Sequence, residues 1–158
     1  MTMILPEALL LVDGVLRPAA GGKTYDNIGP WTGKTVGLAA DASAADVEQA
    51  IAAARRAFDT TAWSTNHGAR FALVQKLYEL FVANTDRLID IARHEAGAPL
   101  VAVHRAQVAN CLNSWKDLME VYPRLEWQKD FGTRESMGFI SHRRAVYEPV
   151  GVVAAITP

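Results

Sequence analysis

The sequence predicts an α/β chain, with strands at the start, helices through the middle and strands again at the end. Three patterns predict it. Asp13-Gly14 lies between the apolar runs 9–12 and 15–16, the strongest short hairpin signal. From Ser43 to Tyr122, apolar residues recur at helical spacing in four blocks. Residues 150–156 form an unbroken, valine-rich apolar run after Glu148-Pro149, the pattern of a strand buried on both faces of a parallel sheet.

Residues 1–12 are apolar and lead into Asp13-Gly14, so they read as a strand. Residues 23–28 make a second strand, Gly29-Pro30-Trp31-Thr32-Gly33 a turn, and residues 35–39 a third strand. Ser43 precedes Asp46 by three positions, a capping-box pattern. Val47, Ala50, Ile51, Ala54 and Phe58 then share one helix face, with Asp46, Glu48, Gln49, Arg55 and Arg56 mostly off it. Residues 60–68 connect to a second helix with Phe71, Val74, Leu77, Tyr78 and Phe81. A third helix starts near Thr85, carries Leu88, Ile91 and Ala92, and ends at Gly97 with Pro99 beyond. Glycine relieves the left-handed strain of such a cap, and proline cannot continue the helix. A fourth helix over 100–122 presents Val108, Cys111, Leu112, Trp115, Leu118, Met119 and Tyr122 until Pro123 stops it. Residues 124–135 are polar, include Gly132 and read as a loop, whereas residues 139–147 alternate imperfectly and read as an exposed strand or arm. The run 150–156 asks for further strands and covering helices, which implies a part of a larger fold.

Composition excludes several classes. Sixteen Lys+Arg balance seventeen Asp+Glu for a net charge of -1, so no basic excess points to nucleic acid. Half the residues are hydrophobic (50%), ordinary for a globular protein, yet no apolar run is long enough to span a bilayer. The N-terminus lacks the positive region of a signal peptide. A lone cysteine, Cys111, forbids an intrachain disulfide and points to a reducing compartment, the cytoplasm.

Local motifs resolve to ordinary structure. Gly33-Lys34-Thr35 lacks the phosphate-loop glycine, because Ile28 holds that position, and Gly22-Lys23-Thr24 has Arg17 there. Cys111 sits mid-helix on an apolar stripe, one turn from Trp115, and reads as a buried packing residue rather than a nucleophile. His94-Glu95 lacks the second zinc-protease histidine, since position 98 is Ala98, and His67, His104 and His142 show no ligand spacing. Arg143-Arg144 fits either a phosphate or partner contact or a solvated strand face.

Five stretches, in order, resemble the N-terminal third of the aldehyde dehydrogenase family. They are Leu11-Val12-Asp13-Gly14, the turn from Gly29 to Lys34, the helix from Asp46 to Phe58 with Trp63 after it, Glu95-Ala96-Gly97-Ala98-Pro99-Leu100, and the stretch from Glu148 to Pro158. The last is the most specific. Gly29 stands where the family usually has Asn, Ala98 where it has Lys, and a longer loop precedes Arg143-Arg144.

The resemblance implies the N-terminal part of an aldehyde dehydrogenase-like fold: β-hairpin, helical segment, oligomerisation arm strand and the first strand of a Rossmann-like parallel sheet. Residues 1–135 would belong to the nucleotide-binding domain, 136–148 to the arm and 149–158 to the first core strand. It implies NAD(P)-dependent oxidation of an aldehyde substrate to an acid. A cysteine thiolate attacks the carbonyl, hydride passes to NAD or NADP, and an activated water hydrolyses the thioester. The family's oxyanion Asn, base Glu and nucleophilic Cys all fall beyond position 158, and Cys111 does not match the nucleophile. No catalytic residue is therefore expected here, and the chain alone is expected to be inert. Ile156, Thr157 and Pro158 match the strand end that lines the dinucleotide site, in keeping with ligand binding at the carboxyl ends of parallel strands. Ile28 and Glu95 match positions near a structural alkali-ion site, met through backbone carbonyls. The arm implies a homodimer or homotetramer. The rival expectation is a short non-catalytic protein that pairs with a full-length or complementary chain.

Overall fold

The structure, a computed structural model, describes residues 5–157. The hairpin signal holds. Strand β1 (Leu10–Val12) pairs antiparallel with β2 (Val15–Arg17), and Asp13 and Gly14 both take positive φ, as a tight hairpin turn of this hand requires. Strand β3 (Thr24–Gly29) pairs antiparallel with β4 (Lys34–Ala40), with a register shift at Asn27/Ile28. Residues 1–4 of the first predicted strand lie outside the described residues. The segment after them runs parallel along β4: Leu5 N–H donates to the Val36 carbonyl at 2.6 Å and Ala8 N–H to that of Leu38 at 2.8 Å.

Helix α1 (Ala44–Thr60) begins at the predicted capping box, with the Ser43 hydroxyl accepting from the Asp46 N–H and the Asp46 carboxylate accepting from the Ser43 N–H. Its packed face is not the expected one. Asp46 (2% exposed) and Ala53 are buried, whereas Val47 and Ile51 remain 49% and 48% exposed. The carboxylate decides this orientation, because its hydrogen-bond donors lie on the β2 side.

Helix α2 (His67–Ala83) follows a 3-10 turn (Ala62–Ser64), and α3 (Thr85–Ala96) ends at Gly97 in the left-handed conformation. The expected fourth helix is a continuous helical run with a change of winding inside it. A short α4 (Leu100–Ala102) passes into a π-helix (Val103–Ala109) and then α5 (Asn110–Val121), which a 3-10 turn with Pro123 closes. Val103 (0% exposed), Val108 and Ile89 form the small core between α3 and this run, with Leu88, Ala92, Ala98 and Leu112 against it. Trp115 meets Tyr78 and Phe81 of α2 at ring distances of 6.0 and 5.3 Å. The stripe on α5 is narrower than expected: Leu112, Trp115 and Met119 are partly covered, but Leu118 and Cys111 are exposed. The reading of Cys111 as a buried packing residue is thereby corrected, since only one side of α5 meets a neighbour.

The expected loop over 124–135 is largely a strand. Strand β5 (Gln128–Ser136) pairs antiparallel with β6 (Phe139–Val146) through the Met137-Gly138 turn. Ladder hydrogen bonds between facing partners let polar residues form a strand without an apolar face. Residues 150–156 form no strand among the described residues. A strand requires a ladder, and nothing described here pairs with this run. No described helix is long and apolar enough to cross a membrane.

Candidate functional site

The two family-implied positions, Ile28 and Glu95, lie on elements that meet, β3 and the end of α3. The Glu95 carboxylate accepts a hydrogen bond from the Asn27 side-chain amide at 2.7 Å. The backbones approach closely here: a Cβ on Gly29 would lie 2.8 Å from the Val36 side chain and 3.3 Å from the His94 carbonyl oxygen. One added to Gly97 would lie 2.8 Å from the Pro30 ring. A cleft of about 530 Å³ opens beside this junction, lined by residues that include Trp31, Thr32, Arg93 and His94. His94 directs Nδ1 at the Asp90 carbonyl at 2.7 Å. Among the described residues no group of three or more His, Cys, Asp or Glu side chains is placed to hold a metal.

A second concentration of polar interactions surrounds Asp46. Its carboxylate accepts from the Ser43 hydroxyl at 2.7 Å, the Ser43 N–H at 3.0 Å, the Ala20 N–H at 3.2 Å and Arg17 Nη2 at 3.1 Å. The Ser43 hydroxyl, then the Ser43 and Ala20 N–H groups, hold its pKa below the ordinary carboxylate value against the opposing effect of burial, with Arg17 assisting. This is a structural anchor, since nothing leaves the carboxylate open to a substrate. It was missed as a buried group because a capping-box acid usually sits at the surface; the signal available was Arg17 in the preceding strand.

A third cluster lies at the base of the β5–β6 hairpin, where His67, Arg70, Tyr122 and Trp127 meet. None was singled out from sequence as a site residue. On the hairpin, His142 Nε2 lies 2.9 Å from the Asp130 carboxylate, and Arg143 and Arg144 are exposed. Cys111 has no part in any of these clusters.

The strand-end residues Ile156 and Thr157 are exposed, Ile156 at 95%, and Pro158 lies outside the described residues. Among the described residues, Ile156 and Thr157 are brought together with none of the three clusters.

Comparison with known proteins decides the family. The model of the aldehyde dehydrogenase family matches residues 17–158. The chain belongs to the aldehyde dehydrogenase family. It is 34% identical over 94% of its length to N-succinylglutamate 5-semialdehyde dehydrogenase of Burkholderia mallei, and spans 29% of that protein. It is 28% identical over 99% of its length to aminoacetaldehyde dehydrogenase of Pseudomonas aeruginosa, and spans 31% of it. The solved NAD-dependent aldehyde dehydrogenase from Sinorhizobium meliloti is similar over 83% of this chain and 26% of its own, with 32% identity and a TM-score of 0.74. The Mycobacterium tuberculosis aldehyde dehydrogenase solved with NAD+ shares the fold over 88% of this chain at a TM-score of 0.76 and 22% identity.

As a member of the aldehyde dehydrogenase family, the chain corresponds to an N-terminal portion of that fold and spans less than a third of the curated relatives it matches. The family's catalytic cysteine falls outside the region covered.

Proposed function

We propose that these residues serve as the N-terminal part of an NAD(P)-dependent aldehyde dehydrogenase that oxidises an aldehyde to a carboxylic acid through a cysteine thiohemiacetal. The observation that carries this reading is the family match over residues 17–158, in step with the fold likeness over 83% of the chain. The nucleophile, base and oxyanion donor are assigned to residues outside the stretch, so the 158 residues alone are expected to be inert.

The dinucleotide supplies the hydride acceptor when bound. Ile156 and Thr157 do not cradle such a group by themselves, because the segment is exposed and unpaired. In this reading they edge the site, together with Pro158, once strands pair with residues 150–156. The domain division at 135/136 and 148/149 belongs to the same proposal. The close approach of Gly29 to the end of α3 supports an alkali ion held by the Ile28 and Glu95 carbonyls. Phe139 and Ile140, 77% and 78% exposed on the hairpin, support its use as an arm in a homodimer or homotetramer. A cytoplasmic location belongs to the same proposal.

The test uses the polypeptide isolated from its native source. It should reduce NAD+ or NADP+ in the presence of an aldehyde, and iodoacetamide should label a cysteine other than Cys111 as activity is lost. Labelling of Cys111 in step with inactivation, or turnover by the 158-residue chain alone, would overturn the proposal.

A further inference from the structure

The segment that follows the β5–β6 hairpin is covered at a single residue. Residues 148–157 are exposed except for Gly151, which is half-buried. Among the described residues, no backbone hydrogen bond ties this segment to another element. The side chain that meets Gly151 is Arg55 of α1: a Cβ added to the glycine would lie 3.1 Å from Arg55 Nη1. Gly151 also takes φ +102, a conformation in which any side chain is strained. The chain therefore turns where α1 meets it.

Arg55 is itself held. Its Nε donates to Asp59 Oδ2 at 2.9 Å and its Nη2 donates to Asp59 Oδ1, a two-pronged pair one turn along α1. The guanidinium carbon lies over the half-buried Phe58 ring, 4.4 Å from its centre. The hydrogen bonds from Arg55 hold the Asp59 carboxyl below its ordinary value, so the pair stays ionised at neutral pH. Asp59 thus occupies Nε and Nη2, Phe58 supports the guanidinium plane, and Nη1 is the end that faces Gly151. Arg56, the next residue of α1, makes the contrast. It is similarly exposed (55% against 47%) and pairs with Asp13 at 2.7 Å, away from this segment.

We propose that Arg55 is a positioning residue for the dinucleotide: clamped by Asp59 and Phe58, it seats Gly151 and so sets the direction in which residues 152–157 run. An extended segment advances about 3.3 Å per residue, so a change of direction at Gly151 grows along the segment before it reaches Ile156. Arg55 acts through the backbone of Gly151 and touches no reacting atom. The inference rests on the reading of Ile156, Thr157 and Pro158 as an edge of the dinucleotide site.

The test measures NAD+ and NADP+ dissociation constants, kcat and melting temperature for variants of the polypeptide at its native length. Arg55→Gln should weaken dinucleotide binding by about tenfold, with kcat at saturating dinucleotide within about twofold. Its melting temperature should move no further than that of Arg56→Gln, which should bind the dinucleotide as the unaltered polypeptide does. Asp59→Asn keeps Arg55 but loosens it, and should weaken binding by about threefold; it carries the test if Arg55→Gln does not fold. Gly151→Ala should also weaken binding, and the Arg55→Gln/Gly151→Ala pair should lose less than the product of the two single losses. Unchanged binding in folded Arg55→Gln or Asp59→Asn overturns the inference. So does an equal loss in Arg56→Gln, or single losses that multiply in the pair. If the unaltered polypeptide binds neither dinucleotide, the cofactor reading and this inference fall together; if it binds one and the variants match it, only this inference falls.

Discussion

The Asp46 carboxylate accepts hydrogen bonds from the cap of α1, from Ala20 and from Arg17, so one charged group ties the residues after β2 to the helix. Because its pKa is lowered in the folded chain, its stabilisation is complete above the ordinary carboxylate range. It is lost as pH falls through the folded-state value. Asp46→Asn should lower the urea midpoint at neutral pH, and the deficit should shrink between about pH 5 and pH 2. Parallel stability–pH curves for the two proteins would contradict this. Cys111 makes the opposite case. Exposed on α5, it can be removed with little effect: Cys111→Ala should change unfolding free energy by less than about 0.5 kcal/mol and leave aldehyde oxidation by the native polypeptide unchanged. Loss of turnover at unchanged stability would assign it a role that its surroundings do not suggest.

The element scale separates what sequence pattern can carry from what it cannot. The β1–β2 hairpin, the β3–β4 pair, the capping box and the stop of α3 at Gly97 were legible because each depends on local backbone chemistry. Gly97 has φ +61, and an added Cβ would lie 3.1 Å from the Trp31 nitrogen as well as against Pro30. Gly97→Ala should cost about 2 kcal/mol, read from the denaturant midpoint. A neutral result would mean that the turn yields freely. What was not legible depends on partners. The face that α1 buries is chosen by the donors around Asp46, where spacing alone favoured Val47 and Ile51. Strand β5 is polar and exists through its ladder with β6; Met137-Gly138 was the available turn signal. The π-helix at Val103–Ala109 has no apolar-spacing signature, because Val103 and Val108 alone face the core within it. Of the candidate site, Ile28 and Glu95 were singled out by resemblance alone, whereas the His67–Trp127 stack joins residues sixty positions apart in different elements. Spacing rules do not reach that far.

At the scale of the whole molecule, large apolar side chains remain at the surface, Leu118 at 68% and Val153 at 69% exposed among them. Surfaces of this kind mark places where other protein packs. The hairpin gives one test. In the native polypeptide, Ile140→Lys should weaken self-association by about tenfold, or about 1.4 kcal/mol, by sedimentation equilibrium. Unaltered assembly by a folded variant would remove the hairpin from the interface. The central claim is that these residues act as the N-terminal part of a larger enzyme, and the intact mass of the polypeptide from its native source tests it most directly. The account predicts a mass several-fold above 17.2 kDa, in line with relatives of which the chain spans 29–31%. A mass of 17.2 kDa would contradict it and leave a short protein whose apolar faces must be covered by a separate chain.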